Sequence, residues 1–246
     1  AVIIDFEDSV SLIDKDAARI LVKNFLTKYD ALTTDIYIRI NDASSEFFLL
    51  DVDKTKDLPI RGYVLPKALP KDIQKLNAIT NKDIIPIIES PLAVLRVEEI
   101  AQQDNVTGLL LGAEDLTKEL NINRTLEATE ILYSRSKLVL VCAAYNIESI
   151  DTPWVDKDNL AGLKLDSLNA KNLGFTSKSS IHPNHVDIIN DVFTPSTEDI
   201  MQAKRIVKKA SETTRGAFSL DGKMIDLPII EKAKKTLTQA KKYKLL

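Results

Sequence analysis

Asp83-Ile84-Ile85-Pro86-Ile87-Ile88-Glu89 is followed by the segment Pro91–Gln103 and then by Val106-Thr107-Gly108-Leu109-Leu110-Leu111-Gly112. The two outer runs are almost continuously apolar, short, and bounded by charge or glycine. A strand with one wet face alternates, whereas a run like these is buried on both faces, as in a parallel sheet. The segment between them opens with a proline suited to a first helical turn. Strand, crossover helix, strand is therefore the repeating unit, and it implies a parallel α/β fold.

Working outward, further strand candidates, most of them continuously apolar, lie at Ala1–Phe6, Asp35–Ile40 and Arg61–Leu65, and downstream at Lys137–Ala143 and Phe175–Ile181. Helical patterns separate them at Asp14–Thr27, Pro70–Leu76, Thr125–Ser136 and Asp158–Leu173, with Asp14 and Asp158 as candidate N-caps. Seven strands would fit an open doubly wound sheet. That fold usually has a glycine-rich first turn, and the seven glycines here form neither GxGxxG nor GxxxxGK[ST]. The 246 residues match a TIM (β/α)8 barrel of about 250 residues. Its first strand is then expected upstream of Ala1, in a further strand–helix unit of about 20–35 residues.

Residues 1–195 form the expected barrel, and 196–246 a C-terminal extension packing on it and on a neighbouring subunit. The extension consists of an amphipathic helix (Ser196–Thr214), an extended loop (Gly216–Asp226) turning at Asp221-Gly222, and a second helix (Pro228–Tyr243). The lysines of that last helix read as a solvated face.

With 33 basic and 36 acidic residues, the net charge of −3 excludes a basic nucleic-acid groove and an acidic tail. No apolar run approaches the ~20 residues of a membrane span. The first run meets Asp5 and Glu7 at once, unlike a signal peptide, so a cytoplasmic enzyme is expected. A single cysteine, Cys142, excludes an internal disulfide and a thiolate zinc cluster, and reads as a small buried hydrophobe.

In a parallel barrel, chemistry sits at the C-terminal ends of the strands. The runs end in Asp5, Glu7 and Asp8; in Arg39 and Asn41; in Lys67; in Glu89; in Glu114 and Asp115; in Tyr145 and Asn146; and in His182. Any one of these can be a solvated charge at the barrel mouth, but Arg39, Glu89 and Asp115 each directly follow a buried run. Glu89 and Asp115 end consecutive strands, so their carboxylates converge and repel unless a cation lies between them. All-oxygen ligation favours magnesium or manganese over zinc and suits a bidentate 2-keto or 2-hydroxy acid. Arg39 offers a fixed fork to a carboxylate or a developing enolate. His182 and His185 read as structural, and Trp154 as packing in a loop.

These residues resemble the HpcH/HpaI aldolase and citrate lyase β-subunit family. The matching stretches are Asp5-Phe6-Glu7-Asp8-Ser9-Val10 with Lys15 and Ala18-Arg19, Ile38-Arg39-Ile40-Asn41, Leu65-Pro66-Lys67, Ile88-Glu89-Ser90, Gly112-Ala113-Glu114-Asp115-Leu116, Ile181-His182-Pro183 and Gly222-Lys223-Met224-Ile225-Asp226. The pattern departs at Phe6, Ser177 and His185, none of them a catalytic group. The resemblance implies a TIM barrel, magnesium on Glu89 and Asp115, substrate contacts from Arg39, Lys67 and Glu89, and trimers in which the C-terminal segment reaches a neighbour's site.

The activity so implied is magnesium-dependent carbon–carbon cleavage of a 3-hydroxy-acyl thioester (citryl, citramalyl or malyl, on CoA or an acyl carrier protein) to a 2-keto acid and an acyl thioester. An aldolase of free 4-hydroxy-2-keto acids is one alternative. A lyase subunit active only in a complex with an acyl carrier protein is another. By position, Asp226 before Leu227-Pro228 reads as the N-cap of the last helix. The resemblance instead gives it the acid/base role in an adjacent protomer's site.

Overall fold

Seven parallel strands run in chain order: β1 (Val2–Asp5), β2 (Ile36–Arg39), β3 (Gly62–Leu65), β4 (Asp83–Ile88), β5 (Gly108–Leu111), β6 (Glu148–Asp151) and β7 (Ser177–Lys178). Each pairs with the next, as in Asp5↔Arg39, Leu65↔Pro86 and Asp151↔Lys178. The computed structural model describes residues 1–28, 33–213 and 216–246. Pro86 has no N–H to give the β4–β5 ladder. It falls between an isolated bridge, Ile84↔Val106, and the regular pairs from Ile87↔Leu110 onward.

The crossovers are helices: α1 (Lys15–Lys28), α2 (Phe48–Thr55), α3 (Pro70–Asn77), α4 (Pro91–Leu95), α5 (Val97–Ala101), α6 (Ala113–Glu119), α7 (Leu132–Tyr145), α8 (Leu160–Leu173) and α9 (Pro183–Phe193). Both faces of the central strands are buried. Val64, Ile85, Ile87 and Leu110 form one cluster, and Tyr63, Leu65, Ile84, Ile88, Leu109 and Leu111 are buried as well. The continuous apolar runs follow from this placement.

The expected strand at Lys137–Ala143 is instead the body of α7. Arg135, Leu138, Val141 and Cys142 are buried at helical spacing while Leu140 stays exposed, so an unbroken apolar run hides a 3.6-residue period. Tyr145 and Asn146 therefore end a helix, and Asn146 takes the left-handed conformation that stops it. The true sixth strand begins at Glu148. The helix expected at Thr125–Ser136 starts late, with a short 3-10 turn at Thr129–Ile131. Asn159, not Asp158, caps α8, and Asp14 lies in a 3-10 turn before α1. Trp154 is buried in its loop, as expected, and Cys142 is buried with its thiol pushed up to about 12 by desolvation.

Contacts divide the chain into two compact units, Ala1–His185 and Val186–Leu246. In the second, α10 (Thr197–Ser211) and α11 (Leu227–Lys242) pack on an antiparallel hairpin of β8 (Phe218–Leu220) and β9 (Lys223–Ile225). Asp221 and Gly222, both at positive φ, make its turn. Ala203, Ile206, Ile225 and Ala233 form its core. The end of the expected first helix, Thr214, lies outside the described residues. Among the described residues, no helix is long and apolar enough to cross a membrane.

Candidate active site at the strand ends

Asp5 and Arg39 close β1 and β2 as register partners. Arg39 Nε and Nη2 grip the two Asp5 oxygens at 2.7 and 2.5 Å, a bidentate fork. Its Nη1 lies 3.0 Å from Glu7 Oε2. Burial alone would raise the Asp5 carboxyl, but Arg39, the Ser9 hydroxyl and the Glu7 amide outweigh it and bring it to about 2. Arg39 is held above its ordinary value; its burial is outweighed first by Asp5, then by Glu7 and Asp8.

The loop after β1 is tied down from below. Buried Lys15 donates to the Phe6 and Glu7 carbonyls at 2.6 and 2.7 Å and to Asn41 Oδ1 at 2.9 Å. Asn41 in turn donates to Asp51, which also accepts from Arg19. A charged network thus fixes the backbone that carries Glu7.

Glu89 follows β4 and is buried. Its Oε1 accepts the backbone N–H of Lys67 at 2.6 Å, and Lys67 sits at φ 50°, a costly conformation that aims its amide at this carboxylate. The Lys67 ammonium reaches Glu7 Oε1 at 3.8 Å. Desolvation, helped by repulsion from Glu7 and Asp115, pushes the Glu89 carboxyl up to about 7 despite the Lys67 bond. Desolvation likewise raises Glu7 to about 7, its pairing with Arg39 notwithstanding.

Asp115 stands in the first turn of α6, immediately beyond β5. Among the described residues its carboxylate has no hydrogen bond or ion pair. Gly112, between β5 and α6, lies against Glu89: a Cβ there would come within 2.5 Å of Glu89 Cβ and 2.7 Å of its Oε2. The first turn of α6 therefore presses directly on the other carboxylate. An unpartnered carboxylate beside a buried one of raised pKa is a donor set that a divalent cation would complete. Among the described residues, no group of three or more His, Cys, Asp or Glu could hold a metal. Two carboxylate oxygen donors fit magnesium, which usually takes one or two carboxylates, better than zinc.

The structure thus gathers Arg39, Lys67 and Glu89 with Glu7 beside them, and Asp115 next to Glu89. Glu114 turns away to Arg124, 2.9 Å distant. Asp226 lies in the C-terminal unit and caps α11, its Oδ1 accepting from Ile229 N–H at 3.4 Å. His182 does not end β7; its Nδ1 accepts the Asn184 amide at 3.2 Å at the start of α9, and His185 is fully buried. The true ends of β6 and β7 are Asp151 and Lys178: Asp151 was missed because α7 had taken the sixth strand's place, and Lys178 because the seventh strand, expected to run to Ile181, stops there. Asn146 followed by Ile-Glu-Ser-Ile-Asp was the available signal.

The profile of the HpcH/HpaI aldolase/citrate lyase family matches residues 1–183. The citrate lyase subunit beta of Haemophilus influenzae is 33% identical over 98% of this chain and 89% of its own length. Human mitochondrial citramalyl-CoA lyase is 28% identical over 98% of this chain and 79% of its own. Among solved structures, the CitE protein of Mycobacterium tuberculosis in complex with magnesium, acetoacetate and coenzyme A superposes with a TM-score of 0.81 at 27% identity, covering 98% of this chain and 89% of that one.

Proposed function

Because the chain belongs to the HpcH/HpaI aldolase/citrate lyase family, we propose that it is a magnesium-dependent carbon–carbon lyase of the citrate lyase β-subunit type. It cleaves a 3-hydroxy-acyl thioester (citryl, citramalyl or malyl) to a 2-keto acid and an acyl thioester. The observation that supports this reading is the pair of acids beyond β4 and β5, buried Glu89 and nearby Asp115, with Arg39 and Lys67 both reaching Glu7 at the same strand ends. The relatives supply the direction: names of a citrate lyase subunit and a citramalyl-CoA lyase, and a neighbour's complex with magnesium and coenzyme A.

Magnesium held by Glu89 and Asp115 would supply a Lewis acid for the carboxylate and hydroxyl oxygens of the part that leaves as keto acid. The protein does the rest. The Lys67 amide keeps the Glu89 carboxylate oriented, and the Lys67 side chain adds positive charge for an anionic substrate. Cleavage needs the 3-hydroxyl proton removed and the thioester α-carbon protonated as the bond between them breaks. Arg39, whose Nε and Nη2 are taken by Asp5, offers its remaining nitrogen, Nη1, to the enolate oxygen. Asp226 of a neighbouring protomer in a homotrimer acts as the acid/base group at the α-carbon. The sheet itself, seven strands in sequential order, is read as part of a (β/α)8 barrel.

The test is release of keto acid from citryl-, citramalyl- and malyl-CoA. Removing magnesium or substituting Glu89→Ala should abolish it; full activity without metal overturns the reading. Turnover of free 4-hydroxy-2-keto acids with none of the thioesters would make the chain an aldolase instead. A second reading is favoured by the first relative's being a subunit: the natural thioester is carried by an acyl carrier protein. Inertness towards CoA esters, with activity on the carrier-bound acyl group, selects it.

A further inference from the structure

Four charged side chains are buried together where β6 and β7 end. Arg135 of α7 binds both oxygens of Asp151 at 2.9 and 2.8 Å and Oδ1 of Asp166 on α8 at 2.8 Å. Lys178 bridges the same two carboxylates from the other side at 2.6 Å each. Two cations and two anions make the group neutral, and each carboxylate takes both partners. Burial alone would raise the Asp166 carboxyl; Lys178 and Arg135 outweigh it and hold it below its ordinary value.

The third Lys178 bond leads out of the group, to the carbonyl of Thr152 at 2.7 Å. Thr152 is fully buried, directly after β6. Its hydroxyl accepts the backbone N–H of Ala113 at 3.2 Å. Ala113 is the first residue of α6, preceded by Gly112, which has no side chain to cap the turn. The helix start therefore borrows its cap from the neighbouring strand end. Two residues further on is Asp115, and on the other side of Gly112 is Glu89.

We propose that Thr152 is a positioning residue for the metal centre, setting where Asp115 stands relative to Glu89 through the Ala113 amide, with Lys178 locking Thr152 in place. This rests on the metal role given above to Glu89 and Asp115. The hydroxyl touches neither the metal nor the substrate. It acts on a short helix of seven residues whose first turn carries a ligand. A helix that short has little rigidity of its own, so an anchor at its first amide decides the ligand's position.

Thr152→Val keeps the volume and removes the acceptor; Thr152→Ser keeps the acceptor and removes a methyl. The readouts are Mn2+ affinity, by titration followed with electron paramagnetic resonance, and the melting temperature of the metal-free protein. Loss of an outer partner of a metal site typically weakens binding ~10–100-fold. Thr152→Val should weaken Mn2+ binding at least about tenfold, and Thr152→Ser should bind within about threefold of wild type. Val binding Mn2+ as wild type does, or Ser as poorly as Val, overturns the proposal. An equal melting loss in both variants with unchanged affinity makes Thr152 merely structural and overturns it too. Wild-type protein that binds no Mn2+ refutes the metal reading itself, a result visible before any variant is made.

Discussion

Gly112→Ala tests how closely the two carboxylate-bearing elements are fitted. At φ −98° an L-residue is permitted, so the substitution strains no backbone, and its effect is steric. The new methyl would lie 2.5 Å from Glu89 Cβ, 2.7 Å from Glu89 Oε2 and 2.8 Å from Ile87 Cγ2, each about 1 Å inside normal contact. None of the three can retreat freely. Ile87 is buried on β4, Glu89 Cβ is fixed by the strand's end, and Oε1 of the same carboxylate is held by the Lys67 amide at 2.6 Å. Overpacking of this kind costs about 1–3 kcal/mol. If relief comes by breaking the Lys67 bond, a charged hydrogen bond of about 1.5–3 kcal/mol goes with it. A total near 3 kcal/mol corresponds to a melting temperature lower by about 6–12 °C for a protein of this size. Scanning calorimetry of metal-free protein measures it, and Mn2+ titration should show affinity down more than about tenfold. Gly216→Ala is the control: among the described residues nothing lies within 4 Å of a Cβ there, so a change under about 0.5 kcal/mol is expected. A Gly112→Ala protein that melts within about 1 °C of wild type and binds metal normally would refute the fit described for the site.

The Asp5–Arg39 pair predicts a window of acid sensitivity. Asp5 titrates near 2 when folded against 3.8 ordinarily, so its contribution is complete above about pH 4 and is lost as pH falls towards 2. The wild-type advantage over Asp5→Asn, about 1–2 kcal/mol at pH 7 after solvent screening, should therefore vanish across that interval; a difference that stays constant with pH would contradict the pairing. Asp226→Asn should keep the fold, because asparagine caps α11 as well as aspartate does, yet lower turnover by about a hundredfold or more. Mixing it with inactive Glu89→Gln protomers should restore activity, since one shared site regains both groups. A dead mixture despite proven subunit exchange removes the shared site.

Much of this was legible in the sequence because burial on both faces leaves a plain mark. Ile84 to Ile88 and Leu109 to Leu111, short and bounded by charge or glycine, read correctly as deep strands, and the charges that follow them stand at the strand ends. Where the mark is ambiguous, the reading failed. Leu138 to Ala144 is as apolar as any strand, and only tertiary placement decides that Leu140 faces outward while Val141 and Cys142 face in. That one error hid Asp151 and Thr152, and with them the anchor of α6. Lys178 was missed for a different reason: a lysine among serines and threonines reads as a surface residue until its two carboxylate partners, 27 and 12 residues away, are seen. The left-handed Lys67 was also invisible, since its amide, rather than its ammonium, does the fixing.

The charge layout explains why a cation belongs here rather than merely fits. Asp5 is neutralised by Arg39, and the quartet at the β6 and β7 ends neutralises itself. Glu7, Asp8, Asp42, Glu89 and Asp115 remain, with the Lys67 ammonium and one nitrogen of Arg39 as the nearby counter-charges. Burial raises the carboxyls of Glu7 and Glu89 to about 7, so a nearby positive charge would favour their ionised forms. An anionic substrate would be repelled by those carboxylates once ionised and would find only Lys67 and part of Arg39 in favour. A divalent ion reverses the sign, giving the acids a partner and the substrate an attractive centre. In such a site, metal entry and substrate entry are one electrostatic event in two steps.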